Sequence, residues 1–193
     1  MPIAIPGLEQ EDIGTLFNTK TYDQYVSIVS DLQQGKCPFC PPDPERNKIQ
    51  FQNDTWMGWV NPFPHPGTQL HIILIPRMHL TRLEDLSPQH YLALGDIIAQ
   101  LQGQDLPGGA LVLRFGDPQR NAGSIRHLHV NIMVPRGDSE VRIPLCKDPK
   151  KINQKRRVVE AFEKMRQAGG SRRALSEEEW ELVKDRMGSH QPH

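Results

Sequence analysis

The run Arg126-His127-Leu128-His129-Val130-Asn131-Ile132-Met133-Val134-Pro135 holds the residues best suited to chemistry. Side chains alternate along a strand, so His127, His129 and Asn131 share one face while Leu128, Val130 and Ile132 line the other. Burying two imidazoles and an amide side by side requires hydrogen-bond or metal partners. A neutral imidazole is a nucleophile, a proton carrier and a metal ligand near neutral pH, so the row suits any of these roles. The competing interpretation is a solvated polar face with incidental histidines, since His-x-His is a short pattern and imidazoles are tolerated at half-buried sites.

The elements that must position this row can be traced from periodicity and turn chemistry. Tyr25, Ile28, Val29 and Leu32 fall at helical spacing, predicting a helix over Tyr22 to Gln34 closed by Gly35. Lys48 to Gln52 and Thr55 to Val60, separated by Asn53 and Asp54, predict a hairpin. After the proline-rich stretch from Asn61 to Gly67, Gln69 to Pro76 is a near-continuous apolar, β-branched run and predicts a buried strand. Ser87 and Pro88 open a helix to Gln102, on which Tyr91, Leu94, Ile98 and Leu101 trace the core face. Ala110 to Phe115 and Ile125 to Val134 predict two strands joined by the polar loop Gly116 to Ser124, and Val141 to Leu145 predicts a short further strand. Lys150 to Gln167 and Glu177 to Met187 predict two charged helices, the second boxed by Ser176 and Glu179. The resulting segments are an N-terminal lead with a helix (1–36), a domain that carries the histidine row (37–146) and a charged helical tail (147–193).

Composition narrows the class. The 193 residues, 37% of them hydrophobic, suffice for one well-packed domain with appendages. Lysine and arginine number 23, as do aspartate and glutamate, so no global basic field exists to hold a nucleic acid backbone. A local basic cluster, Lys150, Lys151, Lys155, Arg156 and Arg157, fits a solvated helix face or a nucleic-acid-end processing enzyme. The longest apolar stretch, Ile72 to Pro76, is far below the roughly 20 residues needed to span a bilayer, so no membrane partner is expected. Three cysteines, an odd number, fit a reducing cytoplasm better than a disulfide framework.

Four blocks in order, spanning about Cys37 to Pro135, resemble the histidine triad (HIT) superfamily. They are Cys37-Pro-Phe-Cys40; Val60-Asn61 followed by Pro66-Gly67; the segment Gly67 to Leu86 with its Ile-Pro-basic-x-His turn; and Asn121 to Asn131. The resemblance is to zinc-bearing bacterial-type members related to the galactose-1-phosphate uridylyltransferase and diadenosine tetraphosphate phosphorylase branches. It implies an α+β, HIT-like fold, with an antiparallel sheet of about five strands, a core helix across one face and the nucleotide held against the other. It also implies a homodimer. The implied activity is that of a phosphohydrolase or nucleotidyltransferase on a nucleoside phosphate or dinucleoside polyphosphate.

By the same resemblance His129 is the nucleophile that forms a nucleotidyl-histidine intermediate, held in one tautomer by a backbone carbonyl. His127 and Asn131 flank it in the motif, Gly123 and Ser124 are placed to hold phosphate oxygens, and Asn61 is placed at the ribose hydroxyls. Gly123 also suits a plain turn glycine, and Asn61 a plain turn residue before Pro62. Cys37, Cys40, His79 and His127 offer two thiolates and two imidazoles, the closed tetrahedral set of a structural zinc site; two free, half-buried thiols are the alternative. His71 reads as a packed or hydrogen-bonded core residue, and Cys146 as a small apolar filler.

The chain departs from the family pattern twice. Asn131 stands where hydrolase branches keep a third histidine and transferase branches carry Gln. The loop from Gly123 to His127 is one residue shorter than in the best-known hydrolases and lacks their Gln, a loss that Arg114, Arg120 or Arg126 could offset as bidentate phosphate donors. A nucleotide-binding regulatory protein with weak or no turnover is therefore the alternative function.

Overall fold

The structure is a computed structural model that describes residues 3–101, 106–138, 140–146 and 148–190. Five antiparallel strands make one sheet: β1 (Phe51–Gln52), β2 (Trp56–Val60), β3 (Thr68–Pro76), β4 (Ala110–Arg114) and β5 (His129–Pro135), in the order β1-β2-β3-β5-β4. With α-helices, this is the α+β class and the five-stranded sheet that the sequence predicts. Asn53 sets the first hairpin, its side-chain oxygen accepting from the amides of Thr55 and Trp56 at 3.0 and 2.8 Å.

The chain divides into two compact units, residues 1–38, 118–125 and 145–193 in the first, and 39–117 and 126–144 in the second. The sheet and its helix belong to the second. There Ile72, Leu74, Leu128, Val130 and Ile132 bury one sheet face against Ile97 and Leu101, with Leu94 and Ile98 partly buried beside them. The helix α3 runs over Pro88–Ala99, and the Gln102 end proposed for it lies outside the described residues. Its buried stripe centres on Ile97, and Tyr91 is 49% exposed rather than part of the core face. At 100° per residue Tyr91 sits about 120° around the helix from Ile97, outside the stripe the sheet can cover. Gly58 in β2 is required by this packing: a Cβ there would stand 2.3 Å from Leu74 Cδ2 and 2.6 Å from the Ile73 carbonyl oxygen.

Three further expectations change. The strand carrying the histidine motif starts at His129, so His127 lies in the turn just before it. Residues 141–145 form no strand; Pro144 lacks an amide donor for a ladder, and Leu145 is 67% exposed. Cys146 is exposed and fills no apolar space.

The first unit is helical: α1 (Gln10–Leu16), α2 (Tyr22–Gln33), a short α4 (Pro118–Asn121), α5 (Ile152–Gln167) and α6 (Glu177–Val183). Its core combines Ile13, Leu16, Tyr25 and Val29 from the lead with Val158, Phe162, Met165 and Val183 from the tail. The lead and the tail, separate in the chain, thus share one apolar interior. Gly35 closes α2 with φ 68°, and the Ser176–Glu179 capping box opens α6, both as the sequence predicts.

Candidate functional site

Register within the second unit assembles the site face. Cα pairs place Arg114 opposite His129 and Val112 opposite Asn131 on one side of β5, and Ile73 opposite Asn131 and His71 opposite Met133 on the other. Paired residues point to the same face of a sheet. Trp59, paired with Ile73, extends that face onto β2. The face is polar and yet buried, with His71 2%, Arg114 5%, His129 7% and Asn131 5% exposed. Phe39 lies over it, its ring centroid 5.5 Å from that of Trp59 and 5.8 Å from those of both His127 and His129. The apolar back expected of Leu128, Val130 and Ile132 is present in the core: Val130 and Ile132 on the other side of the strand, Leu128 just before it.

His129 donates from Nδ1 to the backbone carbonyl of His127 at 2.7 Å. That bond fixes the ring's rotation and places the lone pair on Nε2, the nitrogen at the far end of the ring. The ring of His127 takes a different direction. Its Nε2 donates to the Pro76 carbonyl at 3.1 Å, while Nδ1 lies 3.1 Å from Cys40 Sγ. His79 Nδ1 is 3.4 Å from the same sulfur. Burial, then the neighbouring His79, pushes the pKa of His127 down to about 4, so the ring is neutral near neutral pH and able to act as a ligand.

Cys37, three residues before Cys40 in the same Cys-Pro-Phe-Cys turn, completes a group whose ligand atoms all lie within 4.8 Å of one another. The donor chemistry fits zinc: two sulfurs and two nitrogens, with the outer nitrogen of His127 already anchored on a carbonyl as metal-bound imidazoles require. A tetrahedron with bonds of roughly 2.0–2.3 Å separates its ligands by about 3.3–3.8 Å; Cys40 Sγ lies 3.1 and 3.4 Å from the two Nδ1 atoms, and the whole group falls within 4.8 Å.

A second network occupies the other end of the face. Asn131 Oδ1 accepts from His71 Nε2 at 2.9 Å, and Asn131 Nδ2 makes a long 3.4 Å contact with the Val112 carbonyl. His71 Nδ1 accepts from the amide of His65 at 3.3 Å and lies 3.3 Å from Asn61 Nδ2, with the His65 ring stacked 5.5 Å away. Asn61 Oδ1 accepts from the amide of Phe63 at 2.9 Å, so this side chain both forms a turn and joins the network. Sequence reasoning anticipated a hydrogen-bonded His71 but not its link to Asn131. The available signal was parity along β3, where His71, Ile73 and Ile75 share a face. Phe39 and Trp59 were missed; no spacing rule pairs them with the histidines.

Gly123 and Ser124 fall in the first unit. There the Gly123 amide donates to Asn121 Oδ1 at 2.7 Å and its carbonyl accepts from Asn18 Nδ2 at 2.8 Å. Ala122, beside Gly123, is left-handed with φ 52°. The Gly123 amide therefore serves the loop's own turn.

No family model matches this chain, and no curated protein matches it either. Solved structures of similar shape include a zinc-bound histidine triad family protein from Mycobacterium smegmatis, 18% identical, covering 69% of this chain and 96% of that one, TM-score 0.43. A HIT family hydrolase from Legionella pneumophila Philadelphia 1 is 19% identical, covering 56% and 98%, TM-score 0.40. A diadenosine triphosphate hydrolase from Plasmodium falciparum, in complex with cyclomarin A, is 18% identical, covering 67% and 81%, TM-score 0.39. At these identities and scores, what the site does rests on its own geometry.

Proposed function

We propose that the chain is a HIT-superfamily enzyme that transfers a nucleotidyl group from a nucleoside phosphate or dinucleoside polyphosphate to water or another acceptor. The observation that carries this is the buried His129, its Nδ1 bonded to the His127 carbonyl at 2.7 Å, in a face walled by Phe39 and Trp59. Such a bond keeps the Nε2 lone pair aimed along one direction, which is what in-line attack on phosphorus requires. Nε2 attacks, the N–P bond forms, and the P–O bond to the leaving group breaks; the leaving oxygen keeps the electron pair and takes up a proton. The acceptor oxygen then attacks phosphorus and loses its proton, and the N–P bond breaks to return the neutral imidazole. His127 serves through its carbonyl.

Zinc on Cys37, Cys40, His79 and His127 would supply structural fixation, tying the Cys-Pro-Phe-Cys turn and Phe39 to the segment that leads into the strand of His129. Asn61 would hold ribose hydroxyls, and Gly123 and Ser124 phosphate oxygens, the Gly123 amide first leaving its bond to Asn121. The protein would act as a cytoplasmic homodimer.

A panel of nucleoside phosphates and dinucleoside polyphosphates, assayed with and without inorganic phosphate, separates hydrolysis, phosphorolysis and binding. Wild-type protein should trap an acid-labile adduct from labelled dinucleotide. His129→Ala should lose the adduct and nearly all turnover while retaining nucleotide affinity. Equal activity in the two proteins would sink the mechanism. A regulatory protein that binds nucleotide without turnover is the second reading, favoured by Asn131, whose amide contacts His71 and the Val112 carbonyl and carries no titratable proton. Binding with no adduct in wild type is its signature.

A further inference from the structure

We infer that Asn18 of the lead and Lys155 of the tail are positioning residues that aim the Ser124 amide at a phosphate oxygen, which rests on the phosphate-holding role proposed above for that loop. Asn18, the loop from Pro118 to Ser124 and Lys155 all belong to the helical unit. Asn18 follows α1, its backbone amide donating to the Thr15 carbonyl at 3.1 Å. Its side-chain Nδ2 donates to the Gly123 carbonyl at 2.8 Å and makes a long 3.4 Å contact with the Pro118 carbonyl. Oδ1 accepts from Lys155 Nζ on α5 at 3.2 Å. An ammonium only donates and a carbonyl only accepts, so these three partners allow the amide one orientation.

Across a trans peptide the carbonyl of one residue and the N–H of the next point in opposite directions. The bond between Gly123 and Ser124 is trans, so drawing the Gly123 carbonyl onto Asn18 turns the Ser124 N–H away from it. The two amides of the loop thereby differ. That of Gly123 is taken by Asn121 Oδ1 at 2.7 Å, whereas the Ser124 N–H and hydroxyl have no hydrogen-bond partner among the described residues. Ser124 is half-buried, and an unmatched donor in such a place is satisfied by an oxygen from outside the chain.

A donor fixed before the anion arrives loses less freedom on binding than one that must first be ordered, and it favours charge held on the phosphate oxygens. Lys155 acts at one remove. A cation on Oδ1 polarises the Asn18 amide and strengthens the Nδ2–H bond that holds Gly123. Neither residue lies in the four motif blocks between Cys37 and Pro135, so the motif pattern does not point to them.

The test titrates full-length, isotope-labelled protein with adenosine, AMP and inorganic phosphate while the backbone amide resonances are followed. In wild type the Ser124 resonance should move with AMP and phosphate and stay in place with adenosine. Asn18→Ala should bind adenosine as wild type does, bind AMP roughly tenfold more weakly, and lose the Ser124 shift. Lys155→Met should weaken AMP by a smaller factor, and Lys155→Arg should restore it. In the Asn18→Ala background Lys155→Met should add nothing, because the two residues act in series. A merely structural role would lower the affinities for adenosine and AMP together. A Ser124 resonance unmoved at saturating AMP, unchanged AMP affinity in folded Asn18→Ala, or an equal Lys155→Met loss in both backgrounds overturns the positioning role alone. Should Asn18→Ala not fold, the comparison of Lys155→Met with Lys155→Arg and the wild-type Ser124 resonance still decide. Wild type that binds neither AMP nor phosphate overturns the nucleotide reading beneath it, and this role with it.

Discussion

Asn131 is where the site departs furthest from the pattern it resembles, and the contacts of its amide define what a substitution tests. Its oxygen is held at 2.9 Å by His71, a donor that leaves the amide nitrogen pointing toward β4. An amide donates to an oxyanion but exchanges no proton, so Asn131→His should raise the share of reaction going to water, and Asn131→Gln should leave the partition nearly unchanged. The measurement is the product ratio with and without inorganic phosphate; an unaltered ratio in Asn131→His would remove this residue from acceptor choice. His129, Asn131 and their shared face were legible because strand parity is a local rule. The partner of Asn131 was not, since the 60-residue separation from His71 is closed only by β3–β5 register. Arg114 could be named beside Arg120 and Arg126, but three arginines in one stretch look alike until burial separates them.

The elements matter through what they hold in place. The turn from Cys37 to Cys40 delivers Phe39 to the site face, and His127 joins that turn to the start of β5. Purified protein should carry close to one zinc per chain, and Cys40→Ala should lose it. If the site contributes about 3 kcal/mol, the melting midpoint should fall by roughly 6–12 °C. Carefully handled wild-type protein without zinc would end that claim.

In the helical unit, α5 presents a second buried charge. Glu163 Oε2 accepts from Tyr25 Oη at 2.7 Å, and Arg166 grips both carboxylate oxygens at 2.8 Å. Burial works to raise the Glu163 pKa, but hydrogen bonds from Arg166, Tyr25 and Gln167 prevail and hold it below 4.5. A depressed folded-state pKa adds stability that is complete above the unfolded value and lost as pH falls through the folded one. Glu163→Gln should therefore be less stable at pH 7 and show a flatter fall in denaturation midpoint below about pH 4.5. Parallel curves for the two proteins would contradict the linkage. Helix positions on α2, α5 and α6 were legible from apolar spacing and caps. Their shared core was not, because the lead and the tail lie more than a hundred residues apart in the chain and no local rule pairs them.

At the scale of the whole molecule, β4 ends the strand order, and one of its edges pairs with no strand among the described residues. Leu111 on that strand is 55% exposed, and Tyr91 and Leu92 on α3 are 49% and 69% exposed. An open strand edge and exposed large apolar side chains are each surfaces that proteins ordinarily cover. No helix among the described residues is long and apolar enough to cross a membrane. A second copy of the chain is the cover proposed here: a twofold axis would bring the same strand edge from each protomer together. Light scattering should then give a mass near twice 22.0 kDa. Leu92→Asp should shift the population toward monomer at low micromolar concentration, since it buries a carboxylate against its symmetry mate, while Leu92→Ala should shift it far less. A wild-type mass of one chain across a hundredfold range of concentration would refute the dimer and leave the β4 edge exposed in solution.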